Sequence, residues 1–193
     1  LAVVGSCACW GVWRLGADLV DAPTGVIAAG MATVSPVLVG FSAVVLSETT
    51  FALTMLLGLI AVGRLVNRHR ADARTAGSSL WAMLSGLAIA LGCYVRPSWL
   101  LTAPLAGLLL IVWSKHRWMA ARDALLLQLA LVAGLLPWGF RNQMATGEFV
   151  LTTLWMGPSL YDGLNPQATG DSEMSFYDRD NLQAQGMSEA DVN

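Results

Sequence analysis

Charge is scarce in this chain: Asp, Glu, Lys and Arg together make up 12% of 193 residues, against roughly 25% in an ordinary soluble domain. That shortage excludes a conventional soluble fold, and nothing in the composition points to nucleic acid as a partner. Histidine is nearly absent too. His69 and His116 both lie in basic segments, where interfacial polar side chains are expected and catalysis is not. The three cysteines, Cys7, Cys9 and Cys93, all sit inside apolar runs. Residues two apart on a helix point about 200° away from each other, so the Cys7/Cys9 pair argues against a metal site. Also missing are a phosphate-binding glycine loop, a nucleophile elbow and an internal repeat. The first apolar run has neither a basic leader nor a small-residue cleavage site before soluble sequence, so it does not read as a signal peptide.

What is present is apolar sequence in long runs. Hydrophobic residues make up 55% of the chain, and the mean hydropathy is +0.58. A bilayer crossing takes roughly 20 predominantly apolar residues, fewer if its ends are interfacial. Candidate spans fall at about 1 to 16, 23 to 46, 49 to 66, 79 to 95 closely followed by 98 to 113, and 122 to 138. The expectation is therefore an all-α, polytopic membrane protein with about six membrane-associated helices, because a lipid-exposed backbone must satisfy its own hydrogen bonds. The pair Ser35-Pro36 interrupts the second run, and residues 36 to 47 read as a separate short helix at the interface.

Short-loop Lys and Arg set the expected orientation. Arg14, Arg64, Arg68, Arg70, Arg74, Lys115, Arg117 and Arg122 all fall on one side, which should be cytoplasmic. Three charges of the outer side then stand out. Arg96 follows a 16-residue apolar stretch from Leu80 to Val95, about 24 Å at 1.5 Å per residue, and so reaches the outer interface. Arg141 returns to the same face in "LLPWGFRNQMATGEFV", next to Asn142, and Glu48 opens a span in "LSETT", with Ser47 as its N-cap. Each has a plain structural reading: a snorkelling interfacial arginine, a headgroup contact, or a carboxylate placed favourably at a helix N-terminus. The functional reading is an anion site, because guanidinium offers phosphate oxygens a planar fork that is always charged. Glu48 would orient a sugar hydroxyl or a metal ion.

The stretches "SPVLVGFSAVVLSETTFAL", "SGLAIALGCYVRPSWLL" and "PWGFRNQMATGEFVLTTLWMGPSLYDGLNPQATG", in that order, resemble the GT-C type membrane glycosyltransferases. Within these, the chain is similar to the bacterial protein-mannosyltransferase and aminoarabinose-transferase-like group, glycosyltransferase family 39. The resemblance implies a GT-C helical bundle that moves a sugar from a polyprenyl-phosphate donor to a hydroxyl of a lipid, glycan or protein acceptor. The site would face outward from the cytoplasmic membrane. By matching motif, Glu48, Arg96, Arg141 and Asn142 are its substrate-binding positions. The family keeps its catalytic acid in an outer loop after the first span, and no such loop precedes residue 16 here. The base is accordingly expected upstream of Leu1, and the chain reads as a fragment. No cofactor is specified, although a divalent metal ion is compatible with the family. A transporter or flippase of a lipid-linked substrate is the competing reading.

Residues 1 to 141 read as the membrane region and 142 to 193 as the start of an extracytoplasmic loop or domain. From Asp162 onward the chain carries seven acidic residues against the single Arg179. Gly157-Pro158, Asn165-Pro166 and Gly170-Asp171 are turn signals. The acidic stretch "DSEMSFYDRD" lacks the ligand spacing of a calcium loop and reads as a solvated surface.

Overall fold

The computed structural model describes residues 2–43, 47–71, 77–153 and 163–164. Every regular element among them is helical. Arg74, the turn signals after residue 156 and the acidic segment lie outside the described residues.

Helix α1 (Ala2–Leu19) is followed by α2 (Ala22–Val34), whose start is fixed by Asp21. The Asp21 carboxylate accepts from the Thr24 backbone N–H at 2.8 Å, satisfying one of the donors a helix start leaves unpaired. The two helices cross almost backbone to backbone: a Cβ on Gly25 would strike the Trp13 carbonyl, and one on Gly16 would strike the Gly25 backbone. Helix α2 stops at Ser35, whose ψ of 118° is extended. Pro36 disfavours a helical predecessor and opens α3 (Pro36–Ala43). The run from 23 to 46 is thus split into helices of 13 and 8 residues, broken where the Ser-Pro pair stands.

Helices α4 (Glu48–Arg70) and α5 (Gly77–Val95) pack side by side. A 3-10 turn over Pro97–Leu101 leads into α6 (Thr102–Trp113), and α7 (Arg117–Thr146) follows. Helices α4, α5 and α7 are each long and apolar enough to cross a bilayer. Helix α1, with Arg14 and Asp18 near its end, is not among them.

Helix ends differ from the expected loops in one consistent way. Arg14 lies within α1, Arg64, Arg68 and Arg70 within α4, and Arg117 and Arg122 within α7. Long basic side chains carry an apolar stem and a polar head, so a helix continues past its apolar run without burying charge. Helix α7 also continues to Thr146, beyond the expected boundary at 141.

Small residues set the packing of α5. Ala82, Ser85, Gly86, Ile89, Ala90 and Cys93 form its buried stripe, the composition that lets membrane helices approach closely. A Cβ on Gly86 would run into the Leu127 carbonyl and the Ala130 side chain of α7, while Gly134 of α7 faces Ala90. Tyr94 adds a hydrogen bond from its hydroxyl to the Gly134 carbonyl.

The chain divides into compact units Leu1–Leu136 and Pro137–Asn193, the division falling at the proline inside α7. In the second unit, Gly147 takes φ +84° and ends the helix, a left-handed cap that glycine adopts at no steric cost. Phe149 then lies edge-on to Phe140, their centroids 5.6 Å apart.

Candidate functional site

Glu48 and Arg96 are 48 residues apart in sequence and in direct contact. Arg96 donates from Nη2 to Glu48 Oε1 at 2.6 Å. Glu48 is the first residue of α4; Ser47 precedes it at the N-cap position, but its side chain makes no capping bond. The expected Ser47 cap is therefore corrected: Ser47 has helical backbone angles, φ −72° and ψ −15°, which do not present its hydroxyl to the helix N–H groups. Instead Thr49, one residue into the turn, donates its hydroxyl to the Phe41 carbonyl at 2.8 Å and ties α4 to α3.

Arg96 stands where α5 ends. Pro97 holds it extended, at φ −138° and ψ 105°, and aims its side chain across at α4. Its guanidinium carbon lies 5.4 Å from the Phe51 ring centroid. Phe51 meets Trp99 edge-on at 5.8 Å and 89°. Trp99 in turn fits against Gly92, where any Cβ would come within 2.6 Å of the indole. A chain of contacts, Gly92 to Trp99 to Phe51 to Arg96, thus fixes the arginine independently of the carboxylate.

The pair is only half satisfied. Glu48 Oε2 is shut off from solvent and has no hydrogen-bond partner, and Trp99 Nε1 is in the same condition. Glu48 also lines a cleft of about 590 Å³ enclosed by residues of α1, α2, α3 and α4, within the size range of small-molecule sites. Its walls are mostly apolar, including Ala8, Val12, Leu38, Ala52 and Leu56. Three hydroxyls on the lining are already spent on backbone carbonyls: Ser6 on Ala2, Thr33 on Gly30 and Thr49 on Phe41. The arrangement can hold an apolar body in the cleft, offer Glu48 to an N–H or O–H donor, and offer Arg96 to an anion.

Arg141 and Asn142 belong to the second unit. Arg141 lies over the Trp138 ring at 4.9 Å and donates to Asn142 Oδ1 at 3.3 Å. Asn142, almost fully buried, donates from Nδ2 to the Val150 carbonyl at 2.8 Å, so its amide is engaged at both ends within the chain. Trp138 Nε1 bonds the Thr152 carbonyl in the same way.

A second polar cluster, unforeseen in the sequence, gathers at the far end of α4. Asp123, with 0% side-chain exposure, accepts from His69 Nε2 at 2.9 Å, from Ser79 Oγ at 3.2 Å, and from Arg122 at 2.8 and 3.0 Å. A carboxylate only accepts, so His69 carries its proton on Nε2. Its Nδ1 then faces Ser114 Oγ at 3.3 Å. Four elements meet there: α4, α5, the end of α6, and α7. His69, expected as an interfacial side chain, is in fact 93% buried, its side chain only 7% exposed. The available signal was Asp123 itself, a lone acid in the basic, apolar segment "SKHRWMAARDALLL". Nearby, Asp18 of α1 bridges Arg14 at 2.9 Å and Arg64 at 3.2 Å, and Arg64 stacks on Trp81 at 4.7 Å.

Among the described residues no group of three or more His, Cys, Asp or Glu side chains is placed to hold a metal ion. Cys7 is exposed, Cys9 half-buried and Cys93 buried.

Three helices fit to cross a bilayer make this a helical membrane protein. No protein-family model, curated protein or solved structure matches the chain.

Proposed function

We propose that the chain is the membrane region of a GT-C type glycosyltransferase. It would take a sugar from a polyprenyl-phosphate donor and pass it to a hydroxyl of a lipid, glycan or protein acceptor. The observation that carries this reading is the Glu48–Arg96 pair at the edge of an apolar cleft. A polyprenyl-phosphate sugar has the three matching parts: an apolar chain, an anion and hydroxyl donors. As the glycosidic bond breaks, the departing phosphate gains negative charge. A guanidinium already held by Phe51 stabilises that charge more than the ground state, which is the condition for rate enhancement. The base that takes the acceptor proton belongs to a carboxylate outside this cluster, as the family resemblance implies.

The site is assigned to the outer face of the cytoplasmic membrane from the distribution of Lys and Arg. Single cysteines near Glu48 and Arg96, in a background without the native ones, are expected to react with an impermeant thiol reagent added outside. Cysteines near Arg70 and Lys115 should stay protected. The reverse pattern removes the site from the outer face.

Activity is tested with native membranes that carry the protein, given a radiolabelled polyprenyl-phosphate sugar. Label is expected to pass to an acceptor, and most of that transfer should be lost with Arg96→Ala. Label that crosses the bilayer without joining an acceptor would establish a transporter or flippase instead.

A further inference from the structure

We propose that Glu48 is a resident competitor for the ligand's anion: the Glu48–Arg96 ion pair opens when a lipid phosphate binds, and Arg96 exchanges carboxylate for phosphate. The inference rests on the reading that this site takes a polyprenyl phosphate. Three features of the pair support it. First, it is reachable, with Arg96 46% and Glu48 28% exposed at their side chains. Second, Arg96 does not depend on Glu48 for its position. Phe51 stacks on the guanidinium, and Trp99 backs Phe51, so the arginine stays in place when the carboxylate leaves. Third, the pair is incomplete on the acid's side, since Oε2 accepts nothing while Oε1 holds Arg96.

A phosphate presents the same fork-matching oxygens as a carboxylate, with more charge, and can take Glu48's place. Arg96 is then available only in the fraction of molecules whose pair is open, and the apparent affinity for the anion is reduced by that fraction. The displaced carboxylate has two acceptor oxygens beside the cleft, where the hydroxyls of Ser6, Thr33 and Thr49 are already committed. Its natural partner is an O–H donor on the group that the phosphate carries. Glu48 therefore disfavours a bare lipid phosphate and favours one bearing a sugar, which would separate donor from spent carrier.

The sign of one substitution tests the exchange. If Glu48 competes, Glu48→Gln should bind farnesyl phosphate, a short polyprenyl phosphate, about fivefold more tightly, as expected for an exposed ion pair worth up to ~1 kcal/mol. Glu48→Asp, one methylene too short to hold Arg96 as closely, should shift binding the same way. Affinity for uncharged farnesol should be unchanged in both, which also reports an intact cleft. The measurement is calorimetric titration of the whole chain in lipid nanodiscs. Unchanged or weaker farnesyl phosphate binding in both variants, with farnesol binding intact, overturns the exchange and leaves Glu48 as a positioning residue for Arg96. If the unsubstituted protein binds farnesyl phosphate no better than farnesol, the lipid-phosphate reading itself falls, and the exchange with it.

Discussion

Asp123→Ala is expected to be among the most destabilising single changes in this chain, at about 2–3 kcal/mol, the scale for leaving buried donors without their acceptor. Asp123 is the common acceptor for His69, Ser79 and Arg122. Without it, the His69 Nε2–H, on a side chain only 7% exposed, and the Ser79 hydroxyl lose their acceptor, and buried donors left unpaired are costly. Arg122 suffers less, because its side chain is 48% exposed and can turn to solvent or to lipid phosphates. Asp123→Asn keeps one acceptor oxygen but turns an amide toward the other donors, so a smaller loss is expected. His69→Ala removes one donor and leaves the carboxylate with Arg122 and Ser79, and should be the mildest of the three. Unfolding in detergent, followed by helical circular dichroism, ranks them. An alanine variant within about 0.5 kcal/mol of the parent would mean that water enters this end of the bundle, and that the cluster does not lock four elements together.

The contrast between this cluster and the Glu48–Arg96 pair shows what local sequence can and cannot reveal. Glu48 and Arg96 were legible because each breaks a strong local pattern. One opens an apolar helix and the other sits before a proline at the end of one, both on the side that carries few positive charges. The Ser35-Pro36 break between α2 and α3 was legible for the same reason: a proline's effect on its predecessor is local. Contact between Glu48 and Arg96 depends instead on the packing of α4 against α5, which a small residue such as Gly58, facing Ile89, permits without specifying a register. His69 and Asp123, 54 residues apart, meet through the same kind of long-range packing. There the local signals misled, since a histidine among arginines looks solvated until a buried acid is placed opposite it. Helix ends were hidden by snorkelling, which lets Arg64 to Arg70 stay helical where a loop was expected.

Arg96→Ala is expected to weaken farnesyl phosphate binding by about ten- to a hundredfold, because hydrogen bonds to charged groups contribute about 1.5–3 kcal/mol and each 1.4 kcal/mol is a factor of ten. On the proposed reading the substitution removes the fork that would face the anion, and it leaves Glu48 without its partner at 2.6 Å, so a carboxylate would stand alone at the proposed phosphate site. Arg96→Lys separates charge from geometry. It keeps a cation at the interface, but it loses the planar pair of donors and the flat face that rests on Phe51 at 5.4 Å. An intermediate loss is expected, with most of the deficit appearing as reduced sugar transfer, since an ammonium can anchor a helix end but cannot grip a departing phosphate at two points. Farnesol binding serves as the control, because the cleft walls on α1, α2 and α3 do not depend on Arg96. If both variants bind farnesyl phosphate like the parent while farnesol binding is intact, Arg96 is a snorkelling residue that ends α5, and the anion site lies elsewhere.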